Sequence, residues 1–478
     1  MLTLRFGFVG LLALSIGWLA LMADGSQGQT TAKQLEPYKK TANEPGEARA
    51  VLVGFKDGSV AISKPINAAD QAAFTQMAQY LVNRVTYPEY HVAIPEPTEL
   101  QPKSADKSVA KLIDDLRKAL IVPPADGKIT LPQEEYIREF GIPLNKYLSE
   151  ILIQEKGKMP PAIIRVNAGR LLAVACESGA PALWPTVIAL INNPETPPEL
   201  LYYALKAAEG LLGGFDVSRL SRLAVQPEGA DKLLFDMVRA LEDVVLKGPK
   251  IAGKVYIESG SQPILSTDPN PKAERLRPEQ IAAVQMFRLQ AIRALARLRN
   301  DTVGGKVKAG YEVRPIFTLA RVAVADPSIT PSLSKKEVAE AVLGLVRVNP
   351  SANINLDELA YAVSFGLRVV YSTKAANSDD TTLPWKGLSG RMNIALQDWL
   401  AAITKASRLA PKQKESISSL VKKAADGLFN PSINPTVGAG GINPVKLDLI
   451  DDWQRDNPPG NDRQLFSDVK TFKLTYGK

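Results

Sequence analysis

Residues 162–212 read AIIRVNAGRLLAVACESGAPALWPTVIALINNPETPPELLYYALKAAEGLL, and this stretch decides the predicted fold. It contains three segments with apolar residues at the three- and four-residue spacing of an amphipathic helix. The turns between them, Ser178-Gly179 and Asn192-Asn193-Pro194-Glu195, are short. Helices joined by turns this short lie antiparallel, so the stretch predicts helical hairpins with alanine where neighbouring helices approach most closely.

The same pattern recurs along the chain, in segments closed by Gly, Pro or Asn. The predicted helices are Pro143–Ile153, Ala162–Cys176, Ala180–Ile191, Pro198–Leu212, Ala230–Leu246, Gln280–Leu298, Val313–Val324, Lys335–Val348, Leu356–Tyr371, Met392–Leu409 and Gln413–Leu428. Gly387 and Gly390 are interpreted as the start signal of the helix at Met392, and Trp385 and Trp399 as packing residues of a terminal cap. We therefore expect a mainly α protein built as a helical-hairpin array over residues 126–429.

Two parts of this pattern resemble HEAT repeats. Ala180–Glu195 is similar to the first helix of a repeat, with Pro185 at the family's kink and Asn192-Asn193 at its polar turn, and Pro198–Leu212 is similar to the second helix. Gln280–Leu298 is a further match through its alternation of Arg, Ala and Leu. The resemblance covers about residues 160–375 and implies an α-solenoid that binds protein or peptide partners.

Other segments depart from the helical period. The runs at 50–55 and 59–62 flank Lys56-Asp57-Gly58, and Asp-Gly between β-prone runs predicts a hairpin. With helices beginning after Asn67 and at Ser104, residues 50–125 are predicted to form a small α/β unit.

Residues 248–275 hold two short β-like runs, which predict an insertion in the array, either a hairpin or a loop. Such insertions sometimes form a binding face and sometimes only decorate the array. Residues 430–478 are interpreted as a turn-rich linker and a tail. Within the tail, the alternating residues at 469–476 predict a final strand that would pair with the early hairpin.

The N-terminus carries an export signal. Arg5 is followed by an apolar run, 6–22, and by small residues at Ala23 and Gly25. We interpret residues 1–25 as a signal peptide and 26–49 as a flexible leader, with an uncleaved anchor helix as the alternative. No cysteine follows the run, which excludes a lipoprotein anchor, and no later stretch predicts a membrane span. The remainder is expected in the periplasm, cell envelope or extracellular space.

Composition limits the possible functions. The chain has 478 residues, of which 45% are hydrophobic and 23% charged, as in a folded protein. It has 58 Lys and Arg against 50 Asp and Glu, a net charge of +8. A basic balance fits either an anionic partner or solubility alone. No dense basic tract gives a specific nucleic-acid signal.

One histidine, His91, and one cysteine, Cys176, cannot build a Cys/His zinc site, a haem attachment or an iron–sulfur cluster. His91 is interpreted as a surface or packing residue and Cys176 as a small buried apolar residue. Ser332-x-x-Lys335 matches the pattern of Ser/Lys acyl-transfer enzymes without its companion motifs, so Ser332 is interpreted as a helix cap. The acidic pairs are expected to point in different directions; they are Asp114-Asp115, Asp379-Asp380 and Asp451-Asp452.

The sequence thus predicts no catalytic, cofactor-binding or metal-binding residue. Its first functional hypothesis is an exported, non-catalytic helical-repeat scaffold that binds a protein or peptide. Two alternatives stay open. One is a hydrolase or lyase of the α/α-toroid type, with carboxylates converging from separate hairpins. The other is a binder of anionic envelope polymers.

Overall fold

The computed structural model describes residues 45–87, 90, 108–121, 129–154, 159–213, 227–249, 255–259, 262–266, 278–300, 303–304, 312–348, 355–377, 380–406, 409–433, 437–438, 441–442 and 444–458. These residues are mainly α-helical, as predicted, and their strands form short antiparallel pairs. Contacts divide the chain into two compact units, unit 1 at 1–207 and unit 2 at 208–478. No helix among the described residues is both long and apolar enough to cross a membrane.

Unit 1 consists of helices and two 3-10 turns in its described part. Its helices are α1 (Gly46–Asp57), α2 (Ala68–Asn83), α3 (Val109–Leu120), α4 (Leu131–Leu152), α5 (Ala162–Cys176), α6 (Trp184–Asn192) and α7 (Pro198–Gly213), the last continuing into unit 2. The 3-10 turns are Arg84–Thr86 and Pro181–Leu183. The bounds of α5 are those predicted, because its apolar period is regular and its start follows Pro161.

The predicted α/β unit at 50–125 is wrong, because α1 occupies the place of its hairpin. Ala48, Leu52 and Phe55 are buried at helical spacing on one face of α1. Gly58 has a φ of 79° and its N–H donates to the Phe55 carbonyl at 3.3 Å. A glycine in the left-handed region closes a helix as readily as it forms a hairpin turn. The Asp-Gly pair therefore marks a helix end here, and residues 46–49 of the predicted leader belong to α1.

An aromatic cluster fills the core of unit 1 between α1, α2 and α4. The Phe74 ring lies 5.8 Å from that of Phe55, 5.7 Å from that of Tyr136 and 5.9 Å from that of Phe140. The Tyr136 hydroxyl donates to the Ala119 carbonyl at 2.6 Å, so the only polar atom of the cluster is satisfied. Burial raises the pKa of Tyr136 above its ordinary value.

The helix predicted to begin at Pro143 instead begins at Leu131 and contains Pro143 in its interior. Thr130 and Gln133 form a capping box at its start. Phe140 before the proline and Leu144 after it are both fully buried. Tertiary packing on both sides thus holds the helix together across a residue that ordinarily ends one.

Unit 2 carries the larger helical array. In the described residues its helices are α8 (Pro227–Lys247), α9 (Pro278–Leu295), α10 (Pro315–Ala323), α11 (Lys335–Leu345), α12 (Leu356–Ala376), α13 (Trp385–Lys405), α14 (Pro411–Ala424), α15 (Asn430–Ile433) and α16 (Asp448–Asp456), with a π-helical turn at Ala425–Phe429. Its strands are β1 (Val255–Ser259), β2 (Gln262–Ser266), β3 (Val303–Gly304), β4 (Glu312–Val313), β5 (Val437–Gly438) and β6 (Gly441–Ile442).

Helices α8 to α12 pack in a regular order. Helix α8 contacts α9 and α10, α9 contacts α11, and α10 and α11 both contact α12. Each helix therefore meets the next helix or the next but one, as in a stacked hairpin array with α8, α10 and α12 in one layer and α9 and α11 in the other. Close approach between α9 and α11 depends on Gly344, where a Cβ atom would lie 2.8 Å from that of Ala296.

The remaining predictions in unit 2 have mixed outcomes. The insertion forms a hairpin in which β1 pairs with β2, Val255 facing Ser266. Trp385 and Trp399 are buried, as expected of packing residues. The prediction that Gly387 and Gly390 mark the start of a helix at Met392 is wrong, because both glycines lie inside α13.

Several predictions fall outside the described residues. They are the signal peptide, the leader as far as residue 44, His91, Ser104 and the strand at 469–476.

Candidate functional site

The two units differ sharply in net charge. Residues 1–207 contain 21 Lys and Arg and 21 Asp and Glu, whereas residues 208–478 contain 37 and 29. Unit 1 is therefore neutral, and unit 2 carries the whole net charge of +8. Such asymmetry along a chain points to where an anionic partner would bind.

The described part of unit 2 contains a group of neighbouring basic residues, the arginine cluster, which comprises Arg293, Arg297, Arg299, Arg347 and Arg391. Arg293 belongs to α9, and Arg297 and Arg299 follow its end. Arg347 lies two residues beyond the end of α11, and Arg391 belongs to α13. One carboxylate joins two of them, because Glu340 on α11 accepts hydrogen bonds from Arg293 at 3.2 Å and from Arg391 at 2.9 Å.

Helical geometry explains how distant residues meet here. Arg293 lies in the last turn of α9 and Arg297 two residues beyond its end, while Glu340 lies on α11 and Arg347 two residues beyond the end of α11. Basic side chains are favoured at helix C-termini, which carry the negative end of the helix dipole. The close approach of α9 and α11 then brings both sets of side chains to one place.

Like charges crowd around Arg347. Desolvation lowers the pKa of Arg347, and the neighbouring guanidinium groups of Arg297, Arg391 and Arg299 lower it further, while Glu340 partly opposes them. Glu209 pairs with Arg297 at 2.8 Å. Two carboxylates thus face five guanidinium groups.

Within the described residues, no carboxylate forms an ion pair with Arg299 or Arg347. Both side chains are exposed, as are Arg297 and Arg391. A Cβ atom built on Gly387 or Gly390 would meet nothing within 4 Å. The surface next to Arg391 is therefore open, and the arrangement is suited to binding negative charge rather than to acid–base chemistry.

A different arginine, Arg288, belongs to the core. Arg288 and Glu337 are both fully buried and form a two-pronged ion pair between α9 and α11. Arg288 also donates to the Pro331 carbonyl at 2.8 Å. Because every polar contact is internal, this pair holds helices together and offers nothing to a ligand.

The structure near Arg288 also shows the role of the Ser332-x-x-Lys335 motif. Ser334, not Ser332, caps α11, in a capping box with Glu337. The Ser332 carbonyl accepts hydrogen bonds from Gln285 at 2.9 Å and from Arg288 at 3.3 Å. The motif is thus a helix start, as interpreted, but its cap lies two residues later than predicted.

Unit 1 has a surface groove of about 200 Å³ between α2 and α4. Its lining residues are Ile66, Gln71, Phe74, Thr75, Glu139, Ile142, Pro143 and Lys146. Pro143 has no N–H, so the helical hydrogen bond to the Glu139 carbonyl is missing. Ile142 is 44% exposed at its edge.

The acidic pairs point in different directions where they are described. Asp114 pairs with Lys118, while Asp115 pairs with Arg84 at 3.0 Å and with Lys111. In the pair Asp451-Asp452, Asp451 contacts Arg368 and Asp452 contacts Arg455. Asp379 is outside the described residues.

Cys176 is fully buried, as predicted, and burial raises the pKa of its thiol. The described residues contain no group of three or more His, Cys, Asp or Glu side chains placed to hold a metal ion.

Sequence reasoning missed the arginine cluster. A partial signal was present in the spacing of Arg293, Arg297 and Arg299, which lie within and just beyond the second HEAT-like match. The contributions of Arg347 and Arg391 depend on tertiary packing. Comparisons with models of known protein families, with curated proteins and with solved structures find no match to this chain.

Proposed function

We propose that this protein is an exported, non-catalytic helical-repeat scaffold that binds a protein partner through unit 2. The observation that carries the proposal is the arginine cluster, an exposed, incompletely neutralised group of side chains mounted on packed helices. A rigid helical array suits this role because it presents a surface without a catalytic cleft.

HEAT-like organisation is part of the proposal. The order of contacts from α8 to α12 supports it, since stacked hairpins require contacts between near neighbours. The 3-10 turn at Pro181–Leu183, directly before α6, supports a bend near Pro185. Export is proposed from the apolar run and small residues at the N-terminus alone.

The test uses the full chain with a C-terminal tag, expressed with its own N-terminus. We expect fractionation to place it outside the cytoplasm and N-terminal sequencing to find cleavage after Ala23 or Gly25. We also expect one partner to co-purify from envelope extract at a fixed ratio. Recovery in the cytoplasm, or purification with no partner at a fixed ratio, would refute the proposal.

A second candidate is a binder of anionic envelope polymers, which the +8 charge of unit 2 favours. Retention on a polyanion column separates the two functions. A polymer binder would be retained at physiological ionic strength and released by added salt, because each contact is a charge contact.

A further inference from the structure

We infer that the arginine cluster binds an acidic peptide segment of the partner, one whose Glu or Asp side chains are spaced along the chain. The inference rests on the proposed function and names the chemistry of its partner. The juxtaposition of Arg297, Arg299, Arg347 and Arg391 at the surface of unit 2 carries it. Gly344, three residues before Arg347, packs against Ala296, directly before Arg297, and Glu340 of the same helix α11 holds Arg391.

Glu340 shows how a carboxylate is held in this environment. Its two oxygens accept from Arg391 at 3.0 and 2.9 Å, and one of them also accepts from Arg293 at 3.2 Å. Guanidinium groups bind carboxylates through charge-assisted hydrogen bonds of this kind, and through two parallel ones where the geometry allows it. Arg299 and Arg347 present the same donor groups, and their exposed side chains are within reach of a carboxylate from outside.

The internal carboxylates favour a peptide over a densely charged polymer. Glu340 and Glu209 lie among the arginines and repel any ligand with negative charge on every unit. A peptide can place carboxylates against the arginines and uncharged backbone against the glutamates.

The open surface at Gly387 and Gly390 supports the same choice. Glycine inside a helix lowers helix stability relative to alanine, and no neighbouring atom excludes a Cβ at either position. Bare helix surface beside Arg391 gives a peptide backbone room to lie close.

The test measures binding of a fluorescein-labelled peptide of alternating Glu and Gly to the full-length protein by anisotropy. The variant is Arg299→Gln/Arg347→Gln. The control is Lys422→Gln/Lys423→Gln, which removes the same charge from α14 of the same unit. We expect the arginine variant to weaken binding at least roughly tenfold, as the loss of two charge-assisted pairs implies, and the lysine control to change it less than about twofold.

Three results would overturn the inference. They are equal losses in both variants, no peptide binding by the wild type, and tighter binding of polyphosphate that is lost in the arginine variant. Circular dichroism verifies that the variants fold, and Arg299→Lys/Arg347→Lys is expected to retain part of the affinity because charge remains without the planar fork.

The two proposals fail in different ways. If a cellular partner co-purifies equally with the wild type and with Arg299→Gln/Arg347→Gln, the scaffold function stands and the acidic-peptide inference is wrong. If no partner co-purifies with the wild type, the scaffold function itself is wrong.

Discussion

Units 1 and 2 are both helical, yet they are built from different chemistry. Unit 1 is neutral and packs around the aromatic cluster of Phe55, Phe74, Tyr136 and Phe140. Its described surface also exposes apolar side chains such as Val53 and Leu131, whereas among the large apolar side chains of the described part of unit 2 only Ile394 is exposed.

Unit 2 has an ion pair in its core and the arginine cluster on its surface. Helix content alone therefore says little about which region recognises a partner. The net charge of each unit distinguishes unit 2 from unit 1.

The largest expected effect is on the core of unit 2. Arg288→Ala leaves Glu337 buried without its cation, and breaking a buried pair in this way destabilises a protein by about 3 to 5 kcal/mol. Hydrogen exchange measured by mass spectrometry should rise in α9 and α11 and stay unchanged in α2 and α4.

A matched control distinguishes this loss from the general effect of removing an arginine. Arg293→Ala removes a partly exposed arginine from the same helix and should destabilise by about 1 kcal/mol or less. Phe74→Ala should raise exchange in α2 and α4 instead, since it opens the aromatic cluster of unit 1. If Arg288→Ala and Arg293→Ala destabilised the protein equally, the buried ion pair would not be the main interaction that holds α9 to α11.

Replacing two glycines of unit 2 by alanine should change the stability of the protein in opposite directions. Gly366→Ala places a methyl group against Val342 and 3.1 Å from the Ala323 carbonyl oxygen, so we expect a loss of about 1 to 3 kcal/mol. Gly390→Ala meets no atom and should stabilise the protein by about 0.5 to 1 kcal/mol. Urea denaturation of both variants checks the pair, and a gain from Gly366→Ala would contradict the close packing of α11 and α12.

We expect a buried carboxyl group to make the stability of unit 2 depend on pH. Glu242 on α8 accepts a hydrogen bond from Thr318 at 3.0 Å, and burial raises its pKa to about 6 from 4.5. Because the folded pKa is raised, the contribution of Glu242 to stability is fully present below pH 4.5 and is lost as pH rises through 6.

Glu242→Gln should therefore stabilise the protein by up to about 2 kcal/mol at pH 7 and have little effect below pH 4.5. Asp236→Asn serves as the control, because Asp236 is a more exposed carboxylate of the same helix that does not act on Glu242. Denaturation midpoints of the variants and the wild type are measured between pH 4 and 7.5. A gain in stability that did not vary with pH would contradict the raised pKa of Glu242.

The helical class and many helix positions could be predicted because apolar periodicity is local. Ala162–Cys176 was predicted with its observed bounds, and Pro198–Leu212 ends one residue early. Errors arose where one local signal has two structural uses. Gly58 closes a helix in place of a hairpin turn, and Pro143 and Gly387 lie inside helices that packing preserves.

The candidate site could not be predicted in the same way. Its arginines come from three segments far apart in the chain, and only the fold brings Arg293 of α9 and Arg391 of α13 to Glu340 of α11. The total charge of +8 can be counted from the sequence, but that unit 2 carries it becomes visible only once the fold divides the chain after residue 207.

Site-specific photo-crosslinking tests the central claim, that the charged surface of unit 2 and not the groove of unit 1 meets the partner. A benzoylphenylalanine at Gly387, beside the arginine cluster, is compared with one at Ile142, at the edge of the groove, each irradiated with the acidic peptide. The account predicts an adduct from position 387 that falls as salt is raised and no adduct from position 142. An adduct from position 142 alone, or one from 387 that salt does not weaken, would contradict it.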